Sequence, residues 1–371
     1  MTGLVQKRVP VIFDTCTKPA YYTDVHRLLA LPEGGVIRYD YSSNHITSEM
    51  RSAFDQSISF DTVLIAYAQA RDYVKGQPAP HGIQKWEEMM WIGTRFARLL
   101  AVWSEQRDQD RRYFLALEMQ GYPVRQEELA GSIFRPLHAQ EEVPYKIWVA
   151  QSPMTEAGVF SAGDDLTQGW TTVINCIGDP PSQFAGDSFW RVKTVRVSNR
   201  ETHPTPVRSN NRMTNYRLPE LASLELDFEV HSPIDRPRSL LVKAPESGPL
   251  DDLNGSRQEI ERYRPITVRG RTNASNLLRS RDALVGLRTE PKTNEYPEGS
   301  EAELIFTVRK SGWRILSAGF LAAVSITAGI FAAQDSLGIE LKILSALLVA
   351  LTAVLTALVW TGKVGLPPLR G

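Results

Sequence analysis

The side chains able to do chemistry are spread thinly along this chain. Its six histidines, His26, His45, His81, His138, His203 and His231, stand singly, and no clustered His and Cys have zinc-binding spacing. A lone histidine becomes a general base only when a carboxylate is folded against it; more often it is a packed or solvated residue. The run Asp164-Asp165 could ligate a metal as paired carboxylates, yet its setting in SAGDDL marks an exposed turn. Cys16 and Cys176 belong to no CxxC pair and read as small apolar residues of a reducing compartment. There is no GxxxxGKS/T phosphate loop, GxGxxG turn, GxSxG elbow or HExxH helix. No metal or cofactor site follows from these residues, and the pattern leans away from an enzyme.

Arginine is the stronger signal. Lys plus Arg number 42 against 42 Asp plus Glu, but 31 of the basic residues are Arg, whose planar fork suits phosphate and carboxylate. Two basic stretches, 191–217 and 257–288, flank an acidic one from Glu220 to Asp252. The plainest reading is that these blocks pair across adjacent strands or solvate the surface. A second reading rests the basic faces on anionic lipid headgroups, each nearby Arg contributing about 1 kcal/mol. In a third, an Arg-lined pocket binds a phosphorylated ligand such as a nucleotide, with Trp170, Trp190 or Tyr216 stacking on a base. Arg191, Arg196, Arg269, Arg271 and Trp190 are the candidates for that pocket, because their segments are strand-like and would hold them rigidly. Zero net charge and the lack of a recognition-helix or RNA-binding aromatic motif argue against long nucleic acid.

Short alternating segments separated by Pro, Gly and Asn would position these residues, so the expected fold is mostly β (α+β). In residues 223–230 (SLELDFEV), Leu224, Leu226, Phe228 and Val230 face one way and the acidic residues the other. Further strands are expected at 9–13, 36–41, 62–67, 96–103, 113–119, 145–149, 171–176, 191–198, 239–242, 266–271 and 303–308. Helices are expected at 22–31, 48–56 and 256–262. The breaker cluster DPPSQFAG and the polar connection 203–215 place a division in the region 180–220. The expected organisation is an N-terminal β-rich domain (1–215), a β-sandwich-like domain (216–311), a transmembrane helical hairpin (312–364) and a short tail (365–371).

The last sixty residues are nearly pure hydrocarbon. Residues 315–333 and 343–360 carry no charge, and each approaches the roughly 20 residues that cross a bilayer. The connector QDSLGIELK makes the two spans antiparallel, with Trp313 and Trp360 at one interface. Arg309, Lys310, Arg314, Lys363 and Arg370 flank the outer ends, which puts both termini in the cytoplasm and the chain in the inner membrane as a multi-pass protein. Ala318, Ala322, Ser325 and Gly329 form a small-residue stripe on the first span, and Ala346, Ala350, Ala353 and Ala357 one on the second. Such stripes pack the hairpin itself or join protomers into a homo-oligomer. The absence of ionisable residues within the spans speaks against ion-coupled transport.

In architecture alone, about 310 soluble residues followed by a short two-span hairpin, the chain resembles bacterial antiphage membrane effectors. That resemblance rests on no residue motif. It implies a soluble sensor that recognises a nucleotide, phage or host protein, and hairpins that oligomerise to perturb the membrane. The competing expectations are a non-enzymatic scaffold tethered to the bilayer and a membrane-attached enzyme of β-rich fold.

Overall fold

Alternating apolar and polar residues build most of this chain into strands, which the structure, a computed structural model, gathers into three sheets. It describes residues 7–14, 19–58, 60–71, 89–130, 134, 148–152, 166–180, 182–204, 214–231, 238–243, 250–251, 253, 256–260, 265–272, 282–290, 301–309, 312–333 and 338–361. The elements in chain order are β1 (Lys7–Asp14), α1 (Pro19–Ala30), β2 (Val36–Ser42), α2 (Ser48–Asp55), β3 (Val63–Ala70), β4 (Met89–Arg107), β5 (Asp110–Met119), α3 (Gln126–Leu129), β6 (Trp148–Ser152), α4 (Leu166–Gly178), β7 (Phe189–Val197) and β8 (Arg200–Glu201). They continue with β9 (Thr214–Pro219), β10 (Ser223–His231), β11 (Arg238–Lys243), β12 (Leu250–Asp251), β13 (Ser256–Ile260), β14 (Ile266–Thr272), β15 (Asp282–Glu290), β16 (Glu301–Arg309), α5 (Gly312–Ala332) and α6 (Ile339–Thr361).

The first sheet has the order β2-β5-β4-β3-β1-β6, antiparallel except for the β1–β3 pair. Its long strand β4 bulges at Thr94, where Gln126 of α3 donates to the Gly93 carbonyl (2.8 Å) and accepts from the Gly93 amide (2.9 Å). A Cβ on Gly93 would lie 2.5 Å from Leu129 Cδ1, so any larger residue here would force the Leu129 side chain to shift.

The other two sheets, β12-β14-β10-β7-β8 and β13-β11-β15-β16-β9, share one apolar core. Leu224, Leu226 and Phe228 from one sheet and Val285, Leu304 and Phe306 from the other are fully buried in it. Each such side chain contributes about 1.5–3 kcal/mol. Strands from both sides of residue 215 meet here, since β7 pairs with β10. The composition of sheets therefore changes at the DPPSQFAG segment, between α4 and β7. Helix α1 packs against β1 and β4 of the first sheet and also against β7 and β16, which ties the parts together.

Two local expectations are overturned. Residues 171–176, expected as a strand, lie in α4. The run Thr171-Thr172-Val173-Ile174 carries strand-favouring β-branched residues, but Trp170, Val173, Ile174 and Ile177 are buried on one helical face. Residues 256–260, within an expected helix, form edge strand β13, paired with β11 alone; an edge tolerates its polar sequence SRQEI.

Helices α5 and α6 pack against each other. On α5, Ala328 is buried and Ala322, Ser325 and Gly329 are half-buried, with the Ser325 hydroxyl 3.4 Å from the Val349 carbonyl. On α6 the face toward α5 is Ser345, Val349, Thr352 and Thr356, while Ala346, Ala350 and Ala353 are exposed beside it. Those three alanines of the second helix thus lie beside its contact with the first. Ala318 and Ala357 lie on these helices, outside the described side chains.

Candidate functional site

The predicted arginines meet the acidic residues of β10 in a charge ladder on the outer face of the sandwich. Alternation along β10 sends its leucines inward and leaves Glu225, Asp227 and Glu229 facing the basic and hydroxyl residues of β7 and β14. Arg196 Nη1 lies 3.3 Å from Glu225 and its Nη2 2.6 Å from Asp227, while Arg269 Nε lies 3.0 Å from Glu225 on the other flank. Thr194 and Thr267 donate to Asp227 from either side at 2.6 and 2.7 Å. A bulge between Asp227 and Phe228 lets β7 supply two cations to Glu229, Arg191 at 2.7 Å and Lys193 at 2.9 Å.

Burial pushes the carboxyls of Asp227 and Glu229 up, but their partners outweigh it. The two threonines with Arg196 and Lys193 hold Asp227 below its ordinary 3.8, and Lys193 with Arg191 holds Glu229 below its ordinary 4.5. The ladder is a set of answered charges, as cross-strand pairing predicts.

Arg191 reaches beyond its own sheet. Its side chain is only 6% exposed, and Nη2 donates to Thr167 of α4 at 2.9 Å. Its guanidinium lies 5.5 Å from the Trp170 ring and 5.8 Å from the Tyr122 ring. The Tyr122 ring is also centred 3.9 Å from the guanidinium of Arg95, which donates to the Tyr122 hydroxyl and to the carbonyls of Leu28, Leu31 and Gln120 and so neutralises the C-terminal end of α1. This chain of contacts joins the sandwich to α4, α1 and the first sheet. Burial pulls the Arg95 guanidinium down from its ordinary value, with Arg191 acting the same way and Tyr122 against it.

The aromatic residues predicted to stack on a base are core residues. Trp190 is 2% exposed and meets Phe228 edge to face, Tyr216 stacks on Phe306 at 5.3 Å, and Trp170 is on the buried face of α4. Arg191, Arg196 and Arg269 are all matched by carboxylates. Arg271 differs: it is exposed at the end of β14 and makes no salt bridge among the described residues.

The histidines do not gather. His26 lies 3.4 Å from Asp187, buried between Phe184 and Phe189, so the pair is a packed contact. His45 and His203 are exposed, and His81, His138, Cys16 and Asp164-Asp165 lie outside the described residues. Burial, helped by Asp179, raises the Cys176 thiol, which suits a packed residue. Among the described residues no group of three or more His, Cys, Asp or Glu could hold a metal ion.

One open cleft of about 560 Å³ went unread in the sequence. Ser43, Ser48, Arg51, Ser52, Asp55, Gln56, Arg111 and Tyr113 line it. Ser48, Arg51, Ser52 and Asp55 recur at helical spacing on α2, a signal the sequence does carry. Arg111 is held by Asp55 at 2.8 Å, and Tyr113 donates to the same carboxylate at 3.2 Å, so this cleft too is partly self-satisfied.

Among the described residues one helix, α6, is long and apolar enough to cross a membrane, through the window Ile339–Thr356 with mean hydropathy 2.0. The described apolar part of α5, Gly319–Ile330, is shorter. Phe320, Ile326, Ile339, Leu344, Leu347 and Leu351 are all more than half exposed on these helices.

No family model matches the chain, and no curated protein matches it. Among solved structures it is similar to Bifidobacterium dentium β-glucuronidase in complex with coumarin-3-O-glucuronide, at 9% identity and a TM-score of 0.21, covering 74% of this chain. The chain spans 40% of that enzyme's length, and a likeness this weak carries no argument about fold or activity.

Proposed function

We propose that this chain is a membrane-anchored cytoplasmic sensor and effector: its β-rich part recognises a signal, and its C-terminal helices cross the inner membrane as a two-span hairpin, associate between copies and perturb the bilayer, as in antiphage defence. The observation that carries the reading is the junction between the two parts. Strand β16 is paired on both sides, with β15 and β9, and only residues 310 and 311 separate it from α5. A rearrangement in the sandwich therefore has a short path along the chain to the helices. The exposed apolar surface of α6 supplies the reason to place that end in lipid. The outward-facing Ala346, Ala350 and Ala353 support close approach of a second copy. Because the ladder arginines already hold carboxylates, the reading favours a protein trigger over a nucleotide.

The test is membrane potential in cells expressing the full chain or a chain lacking residues 312–371, before and during phage challenge. The account expects depolarisation that requires the full chain. A full chain that captures a partner in challenged cells while potential stays constant would favour the tethered scaffold instead.

A further inference from the structure

The corner where the chain leaves one sandwich sheet for the other breaks two local rules at one residue. From the last residue of β9 to the start of β10 runs Pro219-Glu220-Leu221-Ala222, and Leu221 has φ 59°, a left-handed conformation that favours glycine or asparagine. Leu221 is also one of the large apolar side chains left exposed, at 38%. Thr272 at the end of β14, itself fully buried, fixes this corner. Its hydroxyl donates to the Pro219 carbonyl at 2.8 Å and accepts from the Ala222 amide at 2.7 Å, and its amide donates to the Ala222 carbonyl at 2.8 Å. An apolar side chain held outward in a disfavoured backbone conformation points to a contact outside the chain.

The register tells which end of the sandwich this is. Pro219 is the partner of Arg309, the last residue of β16, and α5 begins three residues further on. Leu221 therefore sits at the end of the sandwich from which the apolar helices emerge. Three exposed arginines share that end: Arg309 itself, Arg271 opposite Ser223, and Arg200 in the β7–β8 hairpin, whose Ser198 amide donates to the Ser223 carbonyl at 3.0 Å. None of the three makes a salt bridge among the described residues, whereas Arg191, Arg196 and Arg269, further along the same sheet, all do. The acidic residues nearby are Glu220 in the corner, Asp251 of β12 opposite Arg271, and Glu201 opposite Arg196.

We propose that the Pro219–Ala222 corner is a membrane-docking edge, in which Leu221 enters the interface of the bilayer that holds α6 and Arg200, Arg271 and Arg309 bind the phosphates of anionic headgroups. This rests on the membrane reading above. It adds that the sandwich has one fixed end on the lipid, so that a trigger which tilts or lifts it must break these contacts. Apolar tip and basic rim divide the work as lipid-surface binders do, the leucine giving burial and the arginines a preference for anionic lipid.

The test uses the full chain in nanodiscs of phosphatidylcholine with or without phosphatidylserine, in a C16S/C176S background, with an environment-sensitive fluorophore at one of three positions. Position 221 reads the corner, position 265 the far end of β14 about 20 Å along the strand, and position 347 the apolar face of α6. The proposal expects brighter, blue-shifted emission at 347 and 221 and an aqueous signal at 265. Signal at 221 should strengthen with phosphatidylserine, and this preference should fall about fivefold for each of Arg271→Gln and Arg309→Gln. Immersion at 347 with an aqueous signal at 221 overturns the docking edge and leaves the anchor standing. An aqueous signal at 347 overturns the membrane reading and the docking edge with it. If the L221C chain fails to fold, the same lipid preference is read at E220C, and its loss there likewise overturns the proposal.

Discussion

The sandwich and the C-terminal helices treat the same kinds of side chain in opposite ways. In the sandwich Leu224, Leu226 and Phe228 are fully buried, and Glu225, Asp227 and Glu229 each have a cation or hydroxyl within 3.3 Å. On α6 the leucines 344, 347 and 351 are exposed, and the described span from Ile343 to Thr356 holds no charge. One region is organised for water outside and hydrocarbon inside; the other has hydrocarbon outside. On the membrane reading proposed above, the contrast teaches that burial alone does not define structure here, because the two regions are then built for different solvents.

The largest expected break in that contrast comes from Arg191. Replacing it with alanine leaves Glu229 largely buried with Lys193 as its remaining cation, and should cost about 3–5 kcal/mol. Thermal unfolding of the detergent-solubilised chain would show it as a marked fall in Tm. Arg269→Ala removes an arginine whose side chain is 79% exposed, and its effect should stay within about 1 kcal/mol. Equal effects from the two variants would remove the distinction between the buried and exposed ends of the ladder.

Next in size is Gly93→Ala, whose methyl would meet Leu129 Cδ1 at 2.5 Å and force that side chain to shift between α3 and β4. Overpacking of this kind costs about 1–3 kcal/mol, and proteolysis should then cut earliest near α3. Leu129→Ala in the same chain should restore part of the loss by making room.

Acid should loosen the ladder before the helices. Asp227 and Glu229 are held below their ordinary 3.8 and 4.5 in the folded chain, so their contribution is complete above those values and is lost as pH falls through the lower folded ones. Circular dichroism between pH 5 and pH 2 (about the window set by those values) should show strand signal falling while the helical signal of α5 and α6 persists. Simultaneous loss would mean that the helices depend on the sandwich for their order.

The smallest effect separates the two faces of α6. Thr352 is buried and Ala350 exposed, so Ala350→Ile should leave monomer stability within about 0.5 kcal/mol of the original. It should still weaken association between copies in a crosslinking assay, if the exposed alanines are where they meet.

What could be read from the chain follows the range of the interactions. Strand β10 was legible because its alternation is local, and the C-terminal helices because uninterrupted apolar residues need no partner to be recognised. The pairing of Arg191 and Arg196 with β10 was legible only as a balance of blocks, since the partners lie 29 to 38 residues apart and a bulge sets their register. The β-branched run in α4 hides its helical face, and the burial of Trp190 is not legible because residue type alone does not tell which side of a strand faces inward. Nothing in the letters of Pro219-Glu220-Leu221-Ala222 marks a leucine in a left-handed turn; only the pinning by Thr272, fifty residues later, places it there.

The most direct test of the central claim is membrane partition of the full chain in cells, followed by an alkaline carbonate wash, beside a chain ending at residue 311. The account predicts that the full chain stays with the membrane through the wash and that the shortened one does not. A full chain released by carbonate into the supernatant would contradict it, and would require that the exposed leucines of α6 be covered by protein instead of lipid.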